Sequence, residues 1–106
     1  MINSVVIVGR VGQDPEVRYF DSGKVKTVLS VATNRWSKDG DKTDWFRIEL
    51  WDKKAEVAGE YAKKGALVAV EGRLAASKWQ TKEGETREYY YILANDLRLL
   101  GKREAQ

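Results

Sequence analysis

The chain has 106 residues, of which 42% are hydrophobic and 33% charged, and its formal net charge is +3. This composition predicts one soluble globular domain, with no run of the roughly 20 apolar residues that a transmembrane helix requires. Because the sequence contains neither cysteine nor histidine, disulfides, thiolate zinc sites and histidine-based catalysis are excluded.

The N-terminal half is read as extended segments separated by turns. Strands are predicted at residues 3–11, 25–33 and 43–51, with a short extended segment at 17–20. Polar and glycine-containing stretches separate them, including a hairpin loop at 37–42 that carries the Asp-Gly turn signal.

A helix is predicted over residues 53–64, between the third and fourth strands. Four residues of this segment fall on one helical face: Ala55, Ala58, Tyr61 and Ala62. Asp52 is expected to cap its start, Lys63 and Lys64 to lie in the last turn, and Gly65 to follow as the left-handed residue.

The C-terminal part adds a strand at 65–74 that continues towards Trp79, a hairpin tip at 81–85 and a strand at 87–100, interrupted near Asn95–Asp96. Three strands, a helix and two further strands is the order of an OB-fold. The predicted fold is therefore all-β, a five-stranded OB-fold barrel with one helix between strands 3 and 4. Other small barrels fit the strand count, and the position of the helix favours the OB-fold.

The third strand predicts two different faces, because side chains alternate along a strand. One face is apolar and is assigned to the core: Phe46, Ile48 and Leu50. The other face carries Trp45, Arg47, Glu49 and Trp51. Since Arg and Glu are rarely buried unless paired, this second face is predicted to be accessible.

Exposed aromatic rings beside basic residues are typical of surfaces that bind single-stranded nucleic acid. Unpaired bases stack on the rings, and Lys or Arg contacts the phosphates. Trp36 and Trp79 also lie in basic surroundings, near the two hairpin tips. For each Trp the alternative is partial burial or a surface cation–π pair. Four such residues favour nucleic acid, and oligosaccharide binding stays open as a rival.

Other candidate sites are weaker. Asp39, Asp41 and Asp44 lack the spacing of an EF-hand loop, so they are interpreted as solvated turn residues and no metal or cofactor is expected. No organised catalytic site is found, and the chain is not expected to be an enzyme. The run from Tyr89 to Tyr91 places at least one Tyr outward, with a role that the sequence leaves open.

Six segments in this order resemble bacterial-type single-stranded DNA-binding proteins: NSVVIVGR (3–10), GQDPEVRY (12–19), TDWFR (43–47), AEVA (55–58), KG (64–65) and VEGRL (70–74). The resemblance spans about residues 2–101, so a single OB-fold domain is expected at 1–101, followed by a short charged end at 102–106. It implies a cytoplasmic, nucleoid-associated homotetramer that binds single-stranded DNA without sequence preference during replication, recombination and repair.

The resemblance also implies site residues. Its stacking positions match Trp36, Trp45, Trp51 and Trp79, the third being typically Phe in relatives. Its phosphate-contacting positions match Arg47, Lys53, Lys64 and Lys78. The basic cluster that often precedes the fourth aromatic residue is thinned to AASK at 75–78.

Phe46 and the C-terminal end also depart from the family pattern. Phe46 lies where relatives often carry a His that contacts another subunit, so it is expected either in the core or at a subunit interface. Relatives usually continue into a tail with an acidic tip that recruits replication and repair proteins. This chain has no long acidic tail, so such partners are not carried over. A primosome-type OB adaptor and an oligosaccharide-binding barrel remain the alternative functions.

Overall fold

The computed structural model describes residues 1–101, and the predicted charged end at 102–106 lies outside them. Its strands are β1 (Val5–Val11), β2 (Glu16–Tyr19), β3 (Val25–Arg35), β4 (Lys42–Trp51), β5 (Leu67–Gln80) and β6 (Thr86–Gly101), with one helix, α1 (Asp52–Tyr61), between β4 and β5. The predicted order of elements is confirmed, and the short extended segment is β2. No helix within residues 1–101 is long and apolar enough to span a membrane.

The strands close into a barrel. The sheet order is β1-β5-β6-β4-β3-β2, and β1 also pairs with β3, so that β1, β3, β4, β6 and β5 form a ring with β2 attached outside it along β3. All pairings are antiparallel except that of β4 with β6, which joins Ile48 to Ile92 and Glu49 to Leu93. This architecture confirms the predicted five-stranded OB-fold.

The interior of the barrel is filled by alternate residues of each strand. On β3 every second side chain is buried, from Val25 through Thr27 and Leu29 to Val31. The polar Thr27 is accommodated because its hydroxyl donates a hydrogen bond to the carbonyl oxygen of Ala55 in α1, at 2.7 Å. That bond ties the helix to the barrel.

The start of α1 differs from the prediction. Asp52 is not a capping residue: the N-cap is Trp51, which forms no side-chain hydrogen bond to the helix. Asp52 instead adopts a φ of 57°, in the left-handed region that Asp tolerates better than most residues. This backbone turn carries the chain directly from β4 into α1.

The end of α1 is also different, because the helix stops at Tyr61 and leaves Lys63 and Lys64 outside it. The following residues bond elsewhere: the amide of Lys64 donates to Asp14 Oδ1 and that of Gly65 to the carbonyl of Val11. Gly65 has a φ of 90° and allows the tight turn into β5. Tyr61 is exposed, so the buried face of the helical segment consists of alanines alone: Ala55, Ala58 and Ala62.

The predicted interruption of the last strand is a bulge. Between β5 and β6, Glu71 faces Asp96 while Gly72 faces Ala94, which leaves Asn95 as the extra residue. N-terminal to the bulge, the inward residues of β6 are Ile92 and Ala94, so Tyr89 and Tyr91 point to the outside of the barrel. The role of these two tyrosines therefore depends on what lies beside them there.

Candidate nucleic-acid interface

The two predicted faces of β4 are present. On the inner face Ile48 and Leu50 are fully buried, and Phe46 is half-buried against the core. On the outer face Trp45 is 60% exposed and the side chain of Arg47 is 42% exposed. The interior assignment of Ile48 and Leu50 is thus confirmed, and the outer face carries the groups able to contact a ligand.

Glu49 contradicts the expectation that the whole outer face is accessible. It is only 3% exposed, because its two carboxylate oxygens are covered by two cations. Lys26 Nζ lies 3.3 Å from Oε1, and Arg47 Nε donates to Oε2 at 3.0 Å. Pairing makes burial of the carboxylate possible, and it could not be foreseen because Lys26 comes from the neighbouring strand β3.

Trp51, at the end of β4, is half-buried between neighbours. Its ring stacks with that of Phe20, with centroids 5.7 Å apart and an interplanar angle of 23°. Lys26 Nζ lies 5.7 Å from the centroid of the same ring. Trp51 is therefore held in a fixed orientation, with a ring and a cation beside it.

Arg47 connects β4 to the β5–β6 hairpin. Its guanidinium carbon lies 5.0 Å from the ring centroid of Tyr89, within the range of a cation–π contact. Tyr89 in turn contacts Trp79 on β5, at 5.7 Å between centroids, and Tyr91 on its own strand, at 5.8 Å. The open question about the tyrosines is resolved for Tyr89: it joins Arg47 to Trp79.

Together these contacts form a continuous band across the outer face, which we call the aromatic strip. It consists of Phe20, Trp51, Lys26, Arg47, Tyr89 and Trp79, with Lys26 and Arg47 joined through the carboxylate of Glu49. Phe20, Lys26 and Tyr89 were not among the predicted site residues. Strand alternation could have placed Lys26 and Tyr89 outside, because each lies an odd number of residues from a core position on its strand: Thr27 is one residue from Lys26, and Ile92 is three from Tyr89.

Trp36 and Trp45 lie on the β3–β4 hairpin rather than in the strip. Trp36 is 78% exposed in the loop that follows β3. Trp45 lies against Gly12, where a methyl group would collide with its ring. Because β4 and β6 run parallel, the two hairpins that precede them extend in the same direction. Trp36 and Trp79 are thereby placed at the same end of the barrel.

The predicted cations are not all brought together. Lys53 is exposed in the first turn of α1, where it lines a cavity of about 140 Å³ with Asp96 and Leu97. Lys64 is exposed in the turn between α1 and β5. Of the four predicted phosphate contacts, the strip contains Arg47.

Lys78 lies on the face of the β5–β6 hairpin opposite to Trp79, since adjacent residues of a strand point in opposite directions. Its Nζ lies 3.8 Å from Glu88, which also accepts a hydrogen bond from the Tyr90 hydroxyl at 2.9 Å. That hydrogen bond and the carboxylate charge raise the pKa of Tyr90 above its usual value. Lys78 is thus engaged in a separate polar cluster.

The acidic residues of the first hairpin form no metal centre. Asp44 accepts a hydrogen bond from Arg35 Nε at 2.9 Å. Within residues 1–101 no group of three or more acidic side chains is close enough to hold a metal ion.

Comparison with known proteins covers almost the entire chain. A profile of the Single-strand binding protein family matches residues 2–100. The chain is 50% identical over 104 residues to "Single-stranded DNA-binding protein 1" of Nostoc sp., covering 97% of this chain and 87% of that protein. It is 47% identical over 103 residues to the single-stranded DNA-binding protein of Thermosynechococcus vestitus, covering 96% and 85%. A solved structure described as "Plasmodium falciparum SSB complex with ssDNA" superposes with a TM-score of 0.84 at 31% identity, covering 95% of this chain and 96% of that one.

Proposed function

The chain belongs to the single-strand binding protein family, as its sequence predicts, and on this basis we propose that it binds single-stranded DNA without sequence preference. The observation that carries the proposal is the aromatic strip. Two cations, Lys26 and Arg47, lie between two pairs of rings, Phe20 with Trp51 on one side and Tyr89 with Trp79 on the other. Such a surface offers stacking to bases and charge to phosphates at neighbouring points.

Stacking on Trp79 and Trp51 supplies the part of the affinity that does not depend on sequence, because every base has an aromatic face. The exposed Trp36 and Trp45 extend this surface along the β3–β4 hairpin. A duplex cannot use these rings in the same way, since its bases are already stacked on one another. The proposed preference for unpaired strands follows from this difference.

Among the cations, Arg47 and Lys26 are the proposed phosphate contacts within the strip, because both lie beside rings on the outer face. Lys53 and Lys64 are proposed to contact DNA that continues past the strip. Lys78 points to the opposite face of its hairpin and is paired with Glu88, so we propose a smaller contribution from it.

The proposed assembly is a homotetramer. Several large apolar side chains are exposed on the single chain away from the strip: Val6, Val8, Leu74 and Leu99. Val6 and Val8 point outward from the same side of β1, and an apolar patch of this kind marks a protein contact. Sedimentation equilibrium at micromolar concentration is expected to give four times the chain mass, and a monomer alone would contradict the proposal.

The proposed biological role is the protection of exposed single strands during replication, recombination and repair. No catalytic step is part of it, because stacking and phosphate contacts suffice to cover a strand.

The direct experiment is a titration of the chain with oligo(dT), followed by intrinsic tryptophan fluorescence. We expect strong quenching with oligo(dT) and little change with a duplex of the same length or with an oligosaccharide. An unchanged spectrum at saturating oligo(dT) would contradict the stacking proposal. Quenching by the oligosaccharide alone would favour the rival function.

A further inference from the structure

A buried carboxylate lies in the middle of the aromatic strip. Glu49 is fully covered by Lys26 and Arg47, the two cations proposed to contact phosphates. Each of these cations also lies over a ring, Lys26 over Trp51 and Arg47 over Tyr89. A negative charge at this position opposes the binding of a polyanion, so the presence of Glu49 in a proposed DNA-binding surface has to be explained.

Stability is a weak reason for this arrangement. A buried ion pair contributes little compared with an apolar side chain of similar size, because both charges must be removed from water. The side chain of Lys26 is only 18% exposed and that of Glu49 only 4%, so most of the desolvation cost applies to this ion pair. An apolar residue at position 49 would fill the same space between Lys26 and Arg47.

Glu49 lowers the net positive charge at the centre of the aromatic strip. Lys26 and Arg47 together carry +2, and Glu49 reduces this to +1. The depression lined by Lys26 and Arg47 is also lined by Glu16 and Arg18, an exposed pair 3.8 Å apart whose charges cancel. The centre of the strip therefore offers many rings to a ligand and little net charge.

We propose that Glu49 is a specificity-determining residue, which lowers the charge offered to the DNA backbone so that recognition depends on unpaired bases. This inference rests on the proposed function. A duplex binds through its phosphates, whereas a single strand also stacks its bases, so lowering the charge weakens duplex binding more. Glu49 thereby increases the ratio of single-strand to duplex affinity.

The test is Glu49→Gln, which removes the charge with little change in shape. Affinities for oligo(dT) and for a duplex of equal length are measured between low and moderate salt. One additional phosphate contact steepens the slope of log affinity against log salt by about 0.7 for the single strand and about 0.9 for the duplex. We expect both changes, and a higher duplex affinity at low salt.

Two single variants serve as controls. Glu60→Gln removes the same charge from the exposed side of α1 and is expected to keep the parent slopes. Glu49→Asp keeps the charge with a shorter side chain and is expected to keep the parent slopes as well. Steepening in Glu60→Gln of the same size as in Glu49→Gln would mean that net charge alone acts, and would overturn the proposal.

A double variant covers the case in which Glu49→Gln does not fold. Lys26→Met with Glu49→Leu removes two opposite charges, and apolar replacement of a buried pair is commonly neutral or stabilising. If Glu49 cancels one cation, the slope for oligo(dT) stays at the parent value. If Glu49 leaves the full charge of both cations available to the phosphates, the slope flattens by about 0.7 and the proposal is wrong.

The outcomes separate this inference from the function on which it rests. A parent chain that fails to bind oligo(dT) would contradict the proposed function. A parent chain that binds, together with a folded Glu49→Gln whose slopes are unchanged or flatter, would overturn only the role of Glu49.

Discussion

On β4, Ile48 and Leu50 are sealed inside the barrel, whereas Trp45 and Arg47, each one residue away from Phe46, are open to solvent. Ile48 and Leu50 belong to the hydrophobic core, and Phe46 packs against it. Outer side chains contact one another across strands, as Arg47 does with Tyr89. One strand thus serves two purposes: its inner face stabilises the fold, and its outer face presents rings and charges.

Burial alone does not separate the two faces. Thr27 on the inner side and Glu49 on the outer side are both buried and polar. Thr27 bonds to the helix, and Glu49 bonds to two cations of the aromatic strip. The difference lies in the partners, which predicts that changes at the inner face alter stability and changes at the outer face alter binding.

The largest effect is expected for Ile48→Ala. Truncating a fully buried side chain leaves a cavity and lowers the free energy of unfolding by about 2–5 kcal/mol. Affinity for oligo(dT), expressed per folded molecule, is expected to change little. Thermal or urea unfolding combined with titration measures both, and a stable variant that has lost binding would reverse the assignment of the two faces.

Trp51→Ala tests the other face. Removing this ring is expected to weaken oligo(dT) binding by about 1–3 kcal/mol. Its stability cost is expected to be smaller than that of Ile48→Ala, because the half-buried ring packs on Phe20 and Lys26 rather than in the core. Calorimetric titration and a thermal melt decide the matter, and an unfolded variant would show that Trp51 belongs to the core.

Thr27→Val tests whether a buried polar residue of the inner face affects stability without affecting binding. The change keeps the shape and removes the hydrogen bond to the Ala55 carbonyl, at an expected cost of about 1 kcal/mol in unfolding free energy. The salt dependence of oligo(dT) binding is expected to stay the same. A change in that dependence without a change in stability would contradict the division between the faces.

The smallest effect is expected for Arg47. Arg47→Ala should flatten the slope of log affinity against log salt by about 0.7, the value for one phosphate contact, while Arg47→Lys should keep it. Arg98→Ala is the matched control, since Arg98 is an exposed arginine paired with Asp96 on β6. Equal flattening in Arg47→Ala and Arg98→Ala would remove the special role of the strip.

Much of the fold could be predicted from local patterns. Alternation along β4 correctly assigned Ile48 and Leu50 to the interior. The limits of α1 could not be predicted, because the segment after Tyr61 is held by Val11 and Asp14, which are distant in sequence. Helical propensity near Lys63 is outweighed by those bonds.

The candidate site was also predictable only where it depends on local sequence patterns. The amino-acid sequence is enough to predict that four tryptophans lie near basic residues and that Trp45, Arg47 and Trp51 share one side of a strand, because a strand's period of two is a local property. The burial of Glu49 between cations and the contacts of Tyr89 with Arg47 and Trp79 depend on how the strands pack. These contacts link β3, β4, β5 and β6, and it is the parallel pairing of β4 with β6 that brings the β3–β4 and β5–β6 hairpins side by side.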